Sequence, residues 1–165
     1  MANQNLVEEE CTFTSRAVFS KDKRSRYLLN ISWDDSKKKL AIIMTFPSTA
    51  DSMLLDQTTM LVRNGSIKHG YGSVTILNVF SLIDGNKPKT DKINLSTILS
   101  ECANADEIII AYGRSMSYQE DKDKLLEMLS DYKDKMYTII DSKGLPYSHP
   151  LSPLAHEWDI QKLEI

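Results

Sequence analysis

The sequence predicts an α/β protein of three layers: a mostly parallel central sheet, helices on both faces, and an antiparallel N-terminal edge strand. Three observations predict it. Apolar runs of strand length alternate with segments of helical spacing between Leu40 and Ile140, which is the pattern of strand–helix–strand units. The run Leu40–Phe46 is apolar on both faces, as a strand covered on two sides requires. The earlier run Tyr27–Trp33 is apolar on one face (Tyr27, Leu29, Ile31, Trp33) and carries Asn30 and Ser32 on the other, which suits an antiparallel edge.

Taken in order, residues 1–12 read as a weakly ordered lead-in with little periodicity. Tyr27–Trp33 is the first readable strand, and Asp34–Lys37 has turn chemistry. Leu40–Phe46 is the first central strand. Asp51–Asn64 has helical spacing at Leu54, Leu55, Thr58, Leu61 and Val62, with Gly65 placed to end the helix. Val74–Phe80 is a second buried strand. Gly85–Lys92, with Pro88 and three lysines, reads as a surface loop. Leu95, Ile98, Leu99 and Cys102 mark a helix, and Glu107–Tyr112 a third strand. Ser117–Tyr132 is a helix with Leu125, Leu129 and Tyr132 inward, and Ser117 and Glu120 have capping-box spacing. Met136–Ile140 is a fourth core strand. No repeat and no domain boundary interrupts the 165 residues, a length that suits one core.

Composition narrows the function classes. Hydrophobic residues make up 41% and charged residues 26%, the balance of an ordinary globular protein. Cys11 and Cys102 offer neither a disulfide framework nor metal-ligand spacing, so a reducing, cytoplasmic compartment is expected. No apolar run has the length of a signal peptide core or a membrane span. The net charge of −3 and pI near 5.6 disfavour strong non-specific binding to duplex nucleic acid.

In open α/β sheets ligands bind beyond the carboxyl ends of the strands, so the residues that follow each strand carry the functional expectations. Ser48-Thr49-Ala50-Asp51 fits a capping box; it either simply caps a helix or offers a helix N-terminus to a phosphate or carboxylate. Asp56, one turn on, is either a solvated helix-face acid or a functional carboxylate. Asn78 interrupts the apolar Ile76–Phe80. Buried, its carboxamide must find partners, either within the core or on the edge of a nucleobase. Tyr147–Pro153 holds His149 in a loop stiffened by Pro146, Pro150 and Pro153, at the ligand-binding end of the sheet, where it is either an ordinary surface or core histidine or a functional one. His69 and His156 lack such a setting. Lys21–Arg26 is the one dense basic run, either a solvated lead into a strand or a phosphate contact. No metal spacing, phosphate loop, dinucleotide fingerprint or nucleophile elbow is present, so no metal and no cofactor is expected.

Several of these segments recur together in one order. Arg26-Tyr27-Leu28, Trp33-Asp34, Pro47–Asp51, Asp56-Gln57-Thr58, Gly70-Tyr71-Gly72, Leu77–Phe80, Tyr112-Gly113, Gly144-Leu145-Pro146 and His149-Pro150-Leu151 resemble the bacterial and phage proteins grouped as domain of unknown function 1643, over about residues 16 to 154. The motif order is also similar, more distantly, to the uracil-DNA glycosylase superfamily. That resemblance implies a uracil-DNA-glycosylase-like fold and a pocket for a nucleobase, nucleotide or nucleotide-derived ligand. It gives Asn78 the role of reading a flipped base and His149 that of stabilising the departing base. Phe46, Pro47, Ser48, Thr49, Tyr112 and Gly113 would line the pocket. One departure matters: Phe46 stands where that superfamily has a water-activating Asn or Asp, and phenylalanine cannot orient or deprotonate water. Losing such a group costs on the order of 10²–10⁴ in rate, unless Asp51 or Asp56 replaces it. The expectation is therefore a base- or nucleotide-binding domain without standard glycosylase catalysis, taking a small ligand or a single-stranded or flipped-out nucleic acid. An active glycosylase for a modified base is the first alternative, and a non-catalytic interaction protein the second.

Overall fold

In the computed structural model, which describes residues 5–83, 85, 91–155 and 157–165, the chain builds one seven-stranded sheet. The elements are β1 (Thr14–Phe19), β2 (Arg26–Ser32), β3 (Lys39–Met44), α1 (Gln57–Lys68), β4 (Ser73–Asn78), α2 (Lys92–Asn104), β5 (Glu107–Ile110), α3 (Gln119–Met128), a 3₁₀ turn at Ser130–Lys135, β6 (Met136–Ile140) and β7 (Asp159–Lys162). The strand order is β1-β2-β4-β3-β5-β6-β7. Strands β4, β3, β5 and β6 are parallel. Antiparallel β2 and β1 extend one side and antiparallel β7 the other.

The sheet is therefore mixed, not mostly parallel: three of its six pairings run each way. Tyr27–Trp33 is not the edge either, because β1 pairs outside it along Thr14 to Phe19. Strands β1 and β7 escape sequence reading for the same reason. An edge strand is held by its neighbour's backbone and needs little apolar surface; β1 is at most half-buried and β7 contributes mainly Ile160.

Strand alternation splits the core in two. Leu40, Ile42 and Met44 of β3 pack with Val62 of α1 and with Trp158. Ala41 and Ile43 face the other way, onto Ile98 and Cys102 of α2 and Leu125 of α3. Gly65 serves this packing: a Cβ there would lie 2.5 Å from the Trp158 ring.

Two helix boundaries differ from the sequence reading, and each has a local cause. The helix expected at Asp51–Asn64 begins at Gln57, because Asp56 caps it by accepting from the Thr59 amide at 2.8 Å. The Asp51 carboxylate instead accepts the Met53 and Leu54 amides at 2.8 Å each, closing a separate turn that leaves Met53 and Leu54 exposed. Ser48–Asp51 thus caps no helix. Gly65 does not end α1; the chain turns out at His69 and Gly70, whose positive φ of 81° suits glycine. Nor do Ser117 and Glu120 form a capping box. Tyr118, left-handed at φ 60°, stands at the N-cap of α3 without a side-chain bond, and the Ser117 amide donates to Ser115 Oγ. Most of the Gly85–Lys92 loop, and His156, lie outside the described residues. Residues 5–13 carry no helix or strand and are exposed.

Candidate functional site

The carboxyl ends of β3, β4, β5 and β6 share one edge of the sheet, and β2, running antiparallel to β4, starts there with Arg26. Arg26 is fully buried. Its guanidinium donates from Nη1 to the Ala50 carbonyl at 2.9 Å and, at 3.4 Å each, to the Ser48 carbonyl and hydroxyl. From Nη2 it donates to Asn78 Oδ1 at 3.4 Å. Burial pulls its pKa down to about 10, against the pull of nearby Asp56. The side chain therefore ties the start of β2, the loop after β3 and the end of β4 into one unit.

Asn78 ends β4 and is 2% exposed. Its backbone carbonyl accepts from Asn94 Nδ2 at 2.9 Å, and its Oδ1 accepts from Arg26. Its Nδ2 is buried with no partner. Four more buried polar atoms near this edge share that condition: Arg26 Nε, Asn94 Oδ1, Tyr112 Oη and Ser148 Oγ. Folded proteins rarely leave such groups unpaired; of these, Arg26 Nε belongs to the guanidinium that bonds the Asn78 amide, whereas Tyr112 Oη belongs to the α2/α3 core.

Asp56 and His149 meet electrostatically at the same edge. Burial pushes the Asp56 carboxyl upward, but the Thr59 amide, the Ser48 hydroxyl and the Arg26 charge outweigh it and hold the acid below its ordinary range. His149 is half-buried. Burial depresses its pKa, and the Asp56 charge opposes the shift without cancelling it. Its Nδ1 accepts the Leu151 amide at 3.1 Å. An imidazole whose Nδ1 accepts must carry its proton on Nε2, so His149 is a neutral ring with an Nε2–H to donate.

The remaining sequence-predicted residues divide. Ser48 bonds Arg26 and Pro47 is buried, whereas Thr49 is exposed. Asp51 is occupied by its own turn, its pKa lowered by the Leu54 and Met53 amides. Phe46 belongs to an aromatic cluster, stacked on Phe80 at 5.2 Å and edge-on to Tyr118 at 5.4 Å. Tyr112 packs into the α2/α3 core, stacked on Tyr147 at 6.1 Å. Gly113 (φ 81°) donates to the Tyr147 carbonyl at 2.7 Å, and a Cβ on it would stand 3.5 Å from His149 Cβ. Arg26, Ser48, Asp56 and Asn78 thus form one connected group with His149 in electrostatic reach, and Tyr112 borders a different cavity.

Sequence reasoning missed Arg26 as the hub, because it sits at the end of the basic run Lys21–Arg26 whose earlier members are exposed. The available signal was its place directly before the apolar Tyr27-Leu28-Leu29, where a charge enters the core. Ser148 and Asn94 carried no comparable signal. Among the described residues no group of three His, Cys, Asp or Glu side chains could hold a metal, and no helix is long and apolar enough to cross a membrane.

A buried arginine links the start of β2, the loop after β3 and the end of β4, with Asn78 bonded to it and His149 in electrostatic reach of the same group, in a protein of the α/β class. The chain belongs to the family of proteins of unknown function designated DUF1643, whose model matches residues 26–151. That span runs from Arg26 to Leu151 and so includes every residue of the connected group. No curated protein and no solved structure matches the chain.

Proposed function

We propose that this edge of the sheet binds a nucleobase, nucleotide or nucleotide-derived ligand, in a three-layer arrangement like that of the uracil-DNA glycosylases, without their standard water activation. The observation that carries the reading is the Asn78 carboxamide. Arg26 engages its Oδ1, which fixes the amide's orientation and leaves the buried Nδ2–H₂ without a partner. An unpaired donor in the core costs about 1–3 kcal/mol, a cost that a ligand acceptor removes. The neutral Nε2–H of His149 is a second donor. Two donors favour the acceptor-rich edge of a base that carries carbonyl oxygens. Phe46 supplies an apolar ring and no group able to activate water.

The test is thermal shift and calorimetry on the whole chain against free bases, nucleosides, nucleotides, cyclic nucleotides and short single-stranded oligonucleotides. At least one carbonyl-bearing base or its nucleotide should stabilise the wild type and fail to stabilise Asn78→Ala. Silence across the panel, or equal stabilisation of the variant, overturns the reading.

Asp56 favours a second reading. It is a half-buried carboxylate held ionised within electrostatic reach of His149, which is the equipment of an N-glycosidic hydrolase acting on a modified base. Under that reading, oligonucleotides carrying modified bases acquire alkali-labile abasic sites, and Asp56→Asn abolishes them. Intact strands across a broad substrate panel would exclude it.

A further inference from the structure

The cavity beside Tyr112 lies on the α2/α3 side of the sheet and has chemistry of its own. It is an open cleft of about 340 Å³ between the Tyr112–Met116 segment, α3 and the Leu145–Tyr147 loop. Lys122, on the first turn of α3, lines it and is only 2% exposed. Its Nζ donates to the Ser115 carbonyl at 2.7 Å and stands 5.7 Å from the centre of the Tyr112 ring. Among the described residues no carboxylate pairs with it. Arg114, the other cation on the wall, is already matched by Asp141 at 3.2 Å. Tyr112 lines the same wall, and its hydroxyl is buried with no partner.

Each feature is costly alone. A buried ammonium without a salt-bridge partner, with Asp123 acting on it only at longer range, loses hydration that one carbonyl and one ring face do not replace. A buried hydroxyl without a partner is similarly exposed to desolvation. One group relieves both: an oxyanion that accepts from the two remaining Nζ protons and from Tyr112 Oη. The rest of the wall, with Met116, Leu126, Leu145 and Pro146, is apolar, so it suits the body of a small organic molecule.

We propose that this cavity is a second ligand site, for a small organic anion whose phosphate or carboxylate group is held by Lys122 Nζ and Tyr112 Oη and whose apolar body rests on Met116, Leu126 and Leu145. The site is independent of the Asn78 reading. Asn78 alternates with Leu77 along β4, and Leu77 belongs to the core on the Tyr112 side, so the Asn78 side chain turns to the opposite face.

The experiment uses the whole chain at constant ionic strength, with inorganic phosphate, phenyl phosphate and benzoate as probes and chloride as the control. Calorimetry should show saturable binding of phenyl phosphate or benzoate, tighter than that of inorganic phosphate. Which of the two prevails distinguishes a phosphate ester from a carboxylate. Lys122→Met should weaken the bound probe by about tenfold or more, as expected for loss of a charged donor. Lys122→Arg should retain part of the affinity. Lys122→Met should also melt no lower than the wild type, because it removes an unpaired buried charge. Tyr112→Phe removes only an unpartnered hydroxyl and tests the site even if the lysine variant fails to fold; it too should weaken the probe. Asn78→Ala should leave probe binding unchanged. Absence of saturable binding by all three probes overturns the proposal, as does unaltered affinity in Tyr112→Phe together with a folded Lys122→Met.

Discussion

Replacing Asn78 with alanine separates a ligand-reading amide from a structural one, because the two roles predict opposite pairs of results. In the folded protein the carboxamide makes one long hydrogen bond, at 3.4 Å from Arg26 Nη2. Removing it forfeits about 1.5 kcal/mol, the low end for a bond to a charged group. The same substitution removes a buried, unpartnered Nδ2, which returns about 1–3 kcal/mol. The small void left behind costs about 1 kcal/mol more. These terms largely offset, so Asn78→Ala should change stability by no more than about 1.5 kcal/mol. For a chain of this length that is a shift of at most about 3–6 °C in Tm. Ligand binding has no such cancellation. Loss of a buried donor aimed at a base carbonyl weakens binding by about 1–3 kcal/mol, or roughly 5- to 150-fold in Kd. Asn78→Asp sharpens the contrast. It places a carboxylate beside the Arg26 guanidinium, so the fold persists, while an acceptor now faces the ligand's acceptor and binding fails. Scanning calorimetry and isothermal titration on the three proteins give both quantities. A fall of 10 °C or more in Asn78→Ala, with affinity unchanged in the folded fraction, would refute the reasoning and make Asn78 a core amide.

Three further outcomes follow from the geometry. A methyl on Gly72 would lie 1.8 Å from the Asp34 carbonyl oxygen, which is backbone and is framed by hydrogen bonds on both sides of that turn; Gly72→Ala should cost about 3–5 kcal/mol, read from the urea midpoint. The folded pKa of Asp56 lies below its ordinary value, so its contribution is present above pH 4 and is lost as pH falls through the folded pKa; Asp56→Asn, still a good cap, should flatten that acid limb, whereas Asp56→Ala should lose about 1 kcal/mol at pH 7 in chemical denaturation. The folded pKa of His149 is likewise lowered, so the unfolded chain takes up its proton first and stability falls as pH drops below about 6.5; its imidazole resonances should titrate with a midpoint under that value, and His149→Gln should remove that part of the pH dependence.

Legibility in the sequence followed the depth of burial. The central strands are apolar on both faces, and the ends of Leu40–Phe46, Val74–Phe80, Glu107–Tyr112 and Met136–Ile140 each fall within two residues of an observed strand's ends. Strands β1 and β7 were not legible, since backbone pairing rather than side-chain apolarity holds them. Helix starts were misread for a related reason. Asp51 and Asp56 have the same chemistry, and which one caps α1 depends on where the chain leaves β3, a tertiary fact. Gly65 looked like a stop because glycine usually is one; its actual constraint is the Trp158 ring, 93 residues later in the chain.

The candidate site shows the same division. Asn78 stood out because an amide in an apolar run violates the local pattern, and His149 because prolines surround it. Arg26 did not, because a cation at the end of a basic run violates nothing until the strand that follows carries it indoors. Yet Arg26 gives the other residues a common geometry: it holds the Ala50 carbonyl, reaches Ser48, and orients the Asn78 amide. A guanidinium pulled down to a pKa of about 10 is still charged at pH 7, so an ionised Asp56 close by is the economical way to balance it. Phe46 takes no part in that balance: its ring packs on Phe80 and Tyr118, against the core on the α2/α3 side. Asp56 is the carboxylate whose charge opposes the effect of burial on Arg26, and the Arg26 charge in turn helps to hold Asp56 ionised.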